Sequence, residues 1–130
     1  GAEKSLLQAV NRNRADYKKF EQLTEIYIRL AKASPQKEIT WLTKAFDSAV
    51  LAVDHYPGCA RLRFQLAEIA EKLGKTSFAV EQYGKAIEIE DGFRKQFQIM
   101  YPGRKIVSPF DEKNYQLAKE KLKSLPNTKK

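Results

Sequence analysis

Residue types that most catalytic and metal sites require are scarce in this sequence of 130 residues. It has one cysteine, Cys59, and one histidine, His55. A lone cysteine excludes a disulfide within the chain, and a zinc site needs more ligands than this pair supplies. Pro57 and Gly58 lie between the two residues, so the pair is not held on one helical face. We therefore expect a turn histidine and a small packing cysteine, with neither a metal nor a cofactor.

Long apolar runs and glycine-rich loops are also missing from the sequence. No segment approaches the about 18 consecutive apolar residues that a membrane-spanning helix requires. The internal glycines are isolated, which excludes a glycine-rich phosphate loop; they are Gly58, Gly74, Gly84, Gly92 and Gly103. Gly84 falls within a helical pattern, where we expect a close approach of another helix. With its single histidine in a turn, the sequence favours a protein without enzymatic activity.

The residues that are present are typical of one globular domain. Hydrophobic residues make up 42% and charged residues 31% of the chain, as in folded proteins. The length suits a single domain with a substantial core. The first residues, GAEKS, resemble a cloning remnant followed by an excised segment, so we expect the natural protein to be longer.

The net charge of +8 is concentrated in the last third of the chain. Residues 1–34 carry a net charge of +3 and residues 35–92 a net charge of −2. Residues 93–130 have ten basic and three acidic side chains, a net charge of +7. Such a segment is either a solvated tail or a surface that attracts an acidic partner.

Apolar residues recur at intervals of three and four, the period of an α-helix. The stripes are Phe20, Leu23, Ile26/Tyr27 and Leu30; Trp41/Leu42, Ala45/Phe46, Ala49 and Ala52/Val53; Leu62, Leu66, Ile69/Ala70 and Leu73; and Phe78/Ala79, Tyr83 and Ala86/Ile87. No segment has the alternation or the turn residues of a β-hairpin. The sequence therefore predicts an all-α fold.

Prolines and one glycine predict where the first three helices end. Ser34-Pro35 ends the first helix and Tyr56-Pro57 the second, since proline disfavours the α conformation in the residue before it. Gly74 can adopt the left-handed conformation that closes the third helix. Thr76 or Ser77 is then expected to cap the fourth.

The last helix has a start signal at Ser108-Pro109, where serine would be the cap and proline the first helical residue. Asp111 would favour the positive end of the helix dipole, and the helix should end near Leu125, before Pro126. In the preceding segment, the helical spacing of Phe93, Phe97 and Met100/Tyr101 leaves two alternatives. The fourth helix continues through Gly92, or it breaks there and restarts at Asp91; we favour one long helix.

The segment LAEIAEKLGKTSFAVEQYGKAIEIE, residues 66–90, spaces small residues and one aromatic as closely packed antiparallel helices require. It resembles the tetratricopeptide repeat (TPR), a 34-residue helix–turn–helix unit. The matching residues are Leu66, Ala67, Gly74, Ala79, Tyr83 and Ala86. Arg63 and Ala70 depart from the pattern, which has tryptophan and tyrosine there, and Phe64 partly compensates.

Residues 17–57 resemble a second, looser repeat with extended helices, because the junction RLAKASPQKEITW is about nine residues longer than that of a 34-residue repeat. Its matching residues are Phe20, Leu23, Tyr27, Ala45, Ala49, Ala52 and Pro57. The resemblance implies one domain over residues 1–130, with the good repeat in 58–91 and a capping region with a basic tail in 92–130. The cap would use Phe97, Tyr115, Ala118, Leu122 and Leu125.

First helices of such repeats line a concave face, so the resemblance implies a groove for a peptide or protein partner. The groove residues would be Lys18, Gln22, Glu25, Arg29, Arg61, Phe64, Gln65, Glu68 and Lys72. The lysine–asparagine clamp that some relatives use for a terminal carboxylate is not matched, because glutamate or glutamine stands at the asparagine positions. The leading hypothesis is a non-catalytic scaffold that binds another protein or another part of its own parent protein. The alternative for any one residue is an ordinary solvated face.

The basic end supports a hypothesis of a different class. A candidate basic patch contains Arg94, Lys95, Arg104, Lys105, Lys119 and Lys123, with Lys113, Lys121, Lys129 and Lys130 in the same segment. Such a patch can contact the phosphates of nucleic acid or lipid, or an anionic glycan. Base-stacking aromatics are not evident, which disfavours nucleic acid. The alternative function is therefore a basic docking module for an anionic polymer or membrane surface. The simpler interpretation is that these lysines form a solvated helix end.

The segment FQIMYPGRKIVSPFDEKNYQLAKEKL, residues 97–122, is similar to segments that follow helical repeats in bacterial membrane proteins of the O-antigen ligase type. This resemblance implies a soluble domain of a larger membrane protein that faces the periplasm. It implies nothing about catalysis in this chain.

Overall fold

The computed structural model describes residues 16–108 and 110–126, and these residues form five α-helices and no strand. The helices are α1 (Tyr17–Ala33), α2 (Glu38–His55), α3 (Ala60–Lys72), α4 (Thr76–Met100) and α5 (Glu112–Ser124), with one 3-10 turn at Pro35–Lys37. The all-α prediction is confirmed for this part of the chain. Within the same ranges, no helix has the combined length and apolar character to cross a membrane.

Consecutive helices pack against one another. Phe20 near the start of α1 contacts His55 at the end of α2, with ring centroids 5.0 Å apart. Tyr27, farther along α1, stacks on Trp41 near the start of α2 at 6.0 Å, so the two helices are antiparallel. The short turn at residues 73–75 reverses the chain between α3 and α4. The start of α5 lies beside the later part of α4, where Glu112 contacts Arg94.

Helix ends follow the proline and glycine signals in the sequence. α1 ends at Ala33 and α2 at His55, before the two predicted proline breaks. Gly74 has a φ of +79°, and its N–H donates to the carbonyl of Glu71 at 3.1 Å while that of Lys75 donates to Ala70 at 2.8 Å. This pair of hydrogen bonds is the Schellman closure of α3, so the prediction for Gly74 is confirmed.

The predicted N-terminal caps are wrong. The cap residue of α4 is Lys75, and Thr76 and Ser77 lie inside the helix. The cap of α5 is Asp111, whose carboxylate accepts a hydrogen bond of 2.9 Å from the N–H of Lys113. The hydroxyl of Ser108 instead donates a hydrogen bond of 2.7 Å to Glu90 of α4, so it forms a tertiary contact and does not cap α5. Pro109, the predicted first helical residue, lies outside the described residues.

α4 is a single helix of 25 residues that passes through Gly92 and ends at Met100. The prediction of one long helix is confirmed. At Gly84, an added Cβ would meet nothing within 4 Å. The predicted close approach of another helix at Gly84 is therefore wrong.

Small residues let α3 and α4 pack closely, as their spacing predicts. Ala67, Ala79, Ala86 and the ring of Tyr83 are all fully buried, each with 0% exposure. They form one core cluster with residues of α5 and the segment before it. The second cluster joins α2 and α3 and consists of Ala45, Ala49, Ala52, Val53, Cys59, Leu62, Leu66 and Ile69.

The capping region buries a different set of residues from the predicted one. Tyr115 and Ala118 are buried as expected. Leu122 is exposed, and Leu125 is only partly buried against the first cluster. Phe110, which sequence reasoning did not select, is 3% exposed and packs edge-on against Phe64 at 5.6 Å.

Candidate functional site

Ion pairs connect α3 to α1 on one side and to α5 on the other. The guanidinium of Arg61 donates two hydrogen bonds to Glu21 of α1, at 2.9 and 3.0 Å. The ammonium of Lys121 in α5 donates to Glu71 at 2.9 Å. These links hold a polar face of α3 between the two neighbouring helices. We call it the α3 face, and its residues are Arg61, Gln65, Glu68, Glu71 and Lys72.

The middle of the α3 face holds one buried acceptor, on Gln65, and one half-buried carboxylate, on Glu68. The Oε1 atom of Gln65 is buried and accepts no hydrogen bond from the described residues. Burial raises the pKa of Glu68, against the opposing charges of Lys72, Lys121 and Lys32. An unpaired buried acceptor costs about 1–3 kcal/mol, so native proteins seldom keep one without a reason.

A cavity of about 210 Å³ adjoins Glu68. Its lining is Glu68, Glu71, Lys72, Tyr83 and Lys121. The hydroxyl of Tyr83 donates to Glu71 at 2.8 Å, and burial together with this hydrogen bond raises the pKa of Tyr83. Burial would raise the pKa of Glu71, but hydrogen bonds from Lys121 and Tyr83 outweigh it and lower that pKa. The cavity therefore combines fixed charges of both signs with one aromatic wall.

The predicted groove residues differ in exposure, and they do not form one exposed surface. The exposed ones are Lys18, Gln22, Glu25 and Arg29 on α1 and Lys72 on α3. Arg61, Gln65 and Glu68 are half-buried. Phe64 is wrongly assigned to the groove: it is 5% exposed and contacts the ring of Tyr83 at 5.6 Å.

Sequence reasoning missed Glu21 and Glu71, and it named Lys121 only as part of the basic end and not as a neighbour of α3. A signal existed for Glu21, because it lies at helical spacing from Lys18 and Glu25 and so shares their face. The partners of Glu21 and Lys121 are 40 and 50 residues away in sequence. Such pairs depend on how the helices pack, and local spacing does not reveal them.

The candidate basic patch is divided by the fold. Arg94 donates to Glu90 and to Glu112, each at 2.6 Å, and its guanidinium lies 4.0 Å from the ring centroid of Tyr115. Lys119 lies 4.2 Å from the same ring. Arg94 and Lys119 therefore make contacts within the protein. The prediction of one basic patch with six free charges is wrong.

The other four cations of that patch are exposed, but they lie at two ends of the molecule. Lys95 precedes the last residue of α4 by five positions, and Arg104 and Lys105 follow it by four and five. Lys123 lies near the end of α5. This helix starts beside Arg94 of α4, and its later part lies beside the end of α3, where Lys121 contacts Glu71. Lys129 and Lys130 are outside the described residues.

His55 and Cys59 have structural contacts that fit their interpretation as packing residues. The Nδ1–H of His55 donates to the carbonyl of Leu51 at 2.9 Å, and the imidazole packs against Phe20. Cys59 is 8% exposed and belongs to the cluster between α2 and α3. In residues 16–108 and 110–126, no group of three or more histidine, cysteine or acidic side chains is arranged to hold a metal ion.

A second cavity, of about 300 Å³, lies where α1, α3 and α4 meet. Four aromatic residues line it together with Arg61, Glu90 and Cys59; they are Tyr17, Tyr56, Phe93 and Phe110. Both carboxylate oxygens of Glu90 are occupied, one by Arg94 and one by Ser108. This cavity offers apolar walls but no free acceptor from Glu90.

Comparisons with known proteins give no relative: no family model matches the chain, and neither do any curated protein or solved structure. The functional argument therefore depends on the contacts of this chain alone. Of the polar sites described above, only the α3 face combines an unpaired buried acceptor, a cavity and links to two neighbouring helices.

Proposed function

We propose that this chain is a non-catalytic scaffold that binds a peptide or protein partner on the α3 face. In this proposal α1–α2 and α3–α4 are two TPR-like repeats, and α5 caps the second. The partner is a separate protein or another part of the parent protein. The observation that carries the proposal is the buried, unpaired Oε1 of Gln65 beside Glu68.

The chemistry of the α3 face favours a ligand that donates hydrogen bonds. Gln65 as a whole is half-buried, so a rotation of its side chain that brings Oε1 to the surface would let a peptide N–H satisfy an acceptor that the fold leaves unpaired. An amide or hydroxyl group of the partner would donate a hydrogen bond to Glu68, whose charge is disfavoured by burial. The charges of Lys72, Lys121 and Lys32 act on Glu68, and these lysines would contact carbonyl or carboxylate groups of the same ligand.

Rigidity supports binding at this face. The fully buried alanines of α3 and α4 allow the two helices to pack at close range, and the ion pairs of Arg61 and Lys121 connect α3 to α1 and α5. A surface that is already ordered loses little conformational entropy when a partner binds.

The test uses peptides selected on the purified chain from a random library, with their affinities measured by calorimetry. Gln65→Leu removes the acceptor and keeps the side chain similar in size. We expect it to raise the stability of the free protein by roughly 1 kcal/mol and to weaken peptide binding about tenfold. Opposite effects on stability and binding are characteristic of a binding site, because a residue that only supports the fold would not improve stability when lost.

The matched control is Asp47→Asn, an exposed polar position on α2. It should leave both stability and affinity unchanged. The proposal fails if selected peptides bind equally well to the Gln65→Leu protein, or if Asp47→Asn weakens binding as much.

A further inference from the structure

The end of α4 extends beyond the helices that flank it. Among the described residues, Ile89 is the last α4 residue that packs against a core cluster, and α5 begins beside Arg94. Six more helical residues, 95–100, follow Arg94, which corresponds to about 9 Å of helix. The chain then turns back, with the N–H of Arg104 donating to the carbonyl of Tyr101 at 3.2 Å. We call residues 95–105 the α4 tip.

The far end of the α4 tip is apolar and exposed. Ile99 is 64% exposed, Met100 58% and Tyr101 45%. Ile99 and Met100 are separated by about 100° around the helix, and Tyr101 follows directly after the last helical residue. An exposed apolar cluster of this kind marks a contact surface more often than a single exposed side chain does. Gln96 and Gln98 are also exposed on the last turns of the helix, so the apolar surface is limited to its far end, which suits an end-on contact.

Basic residues precede and follow this apolar end along the chain. Lys95, Arg104 and Lys105 are exposed, and the sequence has no acidic residue between Asp91 and Asp111. Lys95 precedes Ile99 by four residues, which places it about 6 Å farther back along the helix axis. The cations therefore lie behind and beside the apolar end, with no neighbouring carboxylate in their own segment.

We propose that the α4 tip docks this protein onto an anionic lipid surface. Ile99, Met100 and Tyr101 enter the boundary between headgroups and acyl chains, and the three exposed cations stay with the lipid phosphates. Apolar side chains of interfacial helices enter this boundary by about 5–10 Å, which matches the 6 Å offset between Ile99 and Lys95. Long basic side chains can also extend back to the headgroups from this depth.

The shape and the composition of the tip favour lipid over the other anionic partners. A polyanion such as nucleic acid is held by cations and gains little from exposed isoleucine and methionine. A protein partner needs an interface of about 1,000 Å² or more, and a convex tip one helix wide covers little of a flat protein surface. A lipid surface deforms around such a tip and accepts both its apolar and its basic groups.

The first experiment is sedimentation of the full chain with vesicles. We expect binding to phosphatidylcholine vesicles that contain phosphatidylglycerol, and weak binding to pure phosphatidylcholine. Each cation near the surface contributes about fivefold in partitioning, so Lys95→Gln/Arg104→Gln/Lys105→Gln should lower it by roughly a hundredfold. Ile99→Ser/Met100→Ser keeps every charge and should lower it by about tenfold.

The matched control removes the same charge elsewhere, with Lys18→Gln/Lys44→Gln/Lys85→Gln at three exposed positions. It should change partitioning only a few-fold. The proposal is overturned if the chain does not bind the anionic vesicles, or if this control loses as much binding as the tip charge variant. Unchanged binding of the Ile99→Ser/Met100→Ser protein also overturns it, because the surface would then be a site for polyanions in general.

A second measurement reports the depth of the tip directly. Met100→Trp in a Trp41→Phe background should show a blue-shifted emission with anionic vesicles, and brominated acyl chains should quench it. Ile39→Trp in the same background is the control, because Ile39 is 61% exposed but lies in the first turn of α2, far from the tip. Equal quenching at the two positions, or none at position 100, contradicts docking through the tip.

Discussion

The hydroxyl of Tyr83 in α4 donates a hydrogen bond of 2.8 Å to the carboxylate of Glu71 in α3. The same carboxylate accepts a hydrogen bond of 2.9 Å from Lys121 in α5. The ring of Tyr83 is fully buried, with its edge against Phe64. One aromatic side chain thus connects the alanine-packed core with the charged α3 face, and three helices meet at Glu71. Changes in the core are therefore expected to alter the proposed binding face.

The packing of α3 against α4 predicts that neither Ala79 nor Ala86 tolerates a larger side chain. Ala79→Leu and Ala86→Leu should each lower the free energy of unfolding by about 1–3 kcal/mol, since both sites have 0% exposure. Urea denaturation measures the effect. Lys85→Leu adds a leucine at an exposed site of the same helix and should change stability by less than about 0.5 kcal/mol. If both alanine substitutions are neutral, the two helices do not pack as described.

Glu71 and Glu68 should respond to pH in opposite directions. The hydrogen bonds from Lys121 and Tyr83 lower the pKa of Glu71 below its ordinary value of 4.5. The resulting stabilisation is complete above that value and is lost as the pH falls through the lowered pKa. Burial raises the pKa of Glu68 above 4.5. Its charge therefore destabilises the fold at neutral pH, and this penalty disappears as the pH falls from the raised pKa to 4.5.

The matched substitutions Glu71→Gln and Glu68→Gln test this difference. At about pH 7, Glu71→Gln should lower the free energy of unfolding by roughly 1–2 kcal/mol, because it disrupts charge-assisted hydrogen bonds. Glu68→Gln should raise the free energy of unfolding at the same pH. Thermal unfolding of the three proteins from neutral to acid pH measures both effects, and the variants should approach wild type once both carboxyl groups are protonated. Effects of the same sign at neutral pH contradict the assignment.

Two glycines in the second helix pair should respond to alanine in opposite ways. Gly84 is inside α4 and has open space where a Cβ would lie, so Gly84→Ala should raise the free energy of unfolding by about 0.5–1 kcal/mol. Gly74 has a φ of +79°, so Gly74→Ala should lower it by about 1–2 kcal/mol. Chemical denaturation of both variants measures the difference. Destabilisation by Gly84→Ala would indicate a close contact at that position after all.

Features that depend on neighbours in sequence were predictable. The breaks at Pro35 and Pro57 and the closure at Gly74 follow from the backbone preferences of those residues, and the structure confirms them. The burial of Ala79 and Tyr83 follows from helical spacing. The long α4 was also predictable, because glycine at position 92 weakens a helix without ending it.

Features that depend on tertiary contacts were not predictable from spacing. Ser108 has the residue type of a helix cap, yet its hydroxyl bonds to Glu90, and Asp111 caps α5 instead. Phe64 was placed at a surface by the repeat register, but the rings of Tyr83 and Phe110 enclose it. The unpaired Oε1 of Gln65 likewise results from how α3 is covered by its surroundings, which no local pattern encodes.

The buried carboxylate of Glu90 holds the segment through which the chain returns from α4 to α5. Glu90 is 2% exposed and accepts hydrogen bonds from Arg94 at 2.6 Å and from Ser108 at 2.7 Å. The hydroxyl of Ser108 in turn accepts from the N–H of Phe110 at 3.0 Å. This chain of hydrogen bonds holds the segment that places Phe110 in the core.

Glu90→Ala should therefore lower the free energy of unfolding by about 1–3 kcal/mol, since it removes the acceptor of Arg94 and Ser108 while Arg94 keeps Glu112 as a partner. Hydrogen exchange should show faster opening of α5 than of α3, because α5 depends on this connection and α3 does not. Glu90→Gln keeps the shape and an acceptor for Ser108, and its effect should be smaller. Glu88→Gln, at an exposed site of α4, is the control and should behave as wild type. If Glu90→Ala stays within about 0.5 kcal/mol of wild type, Glu90 does not anchor the connection, and the position of Phe110 must have another cause.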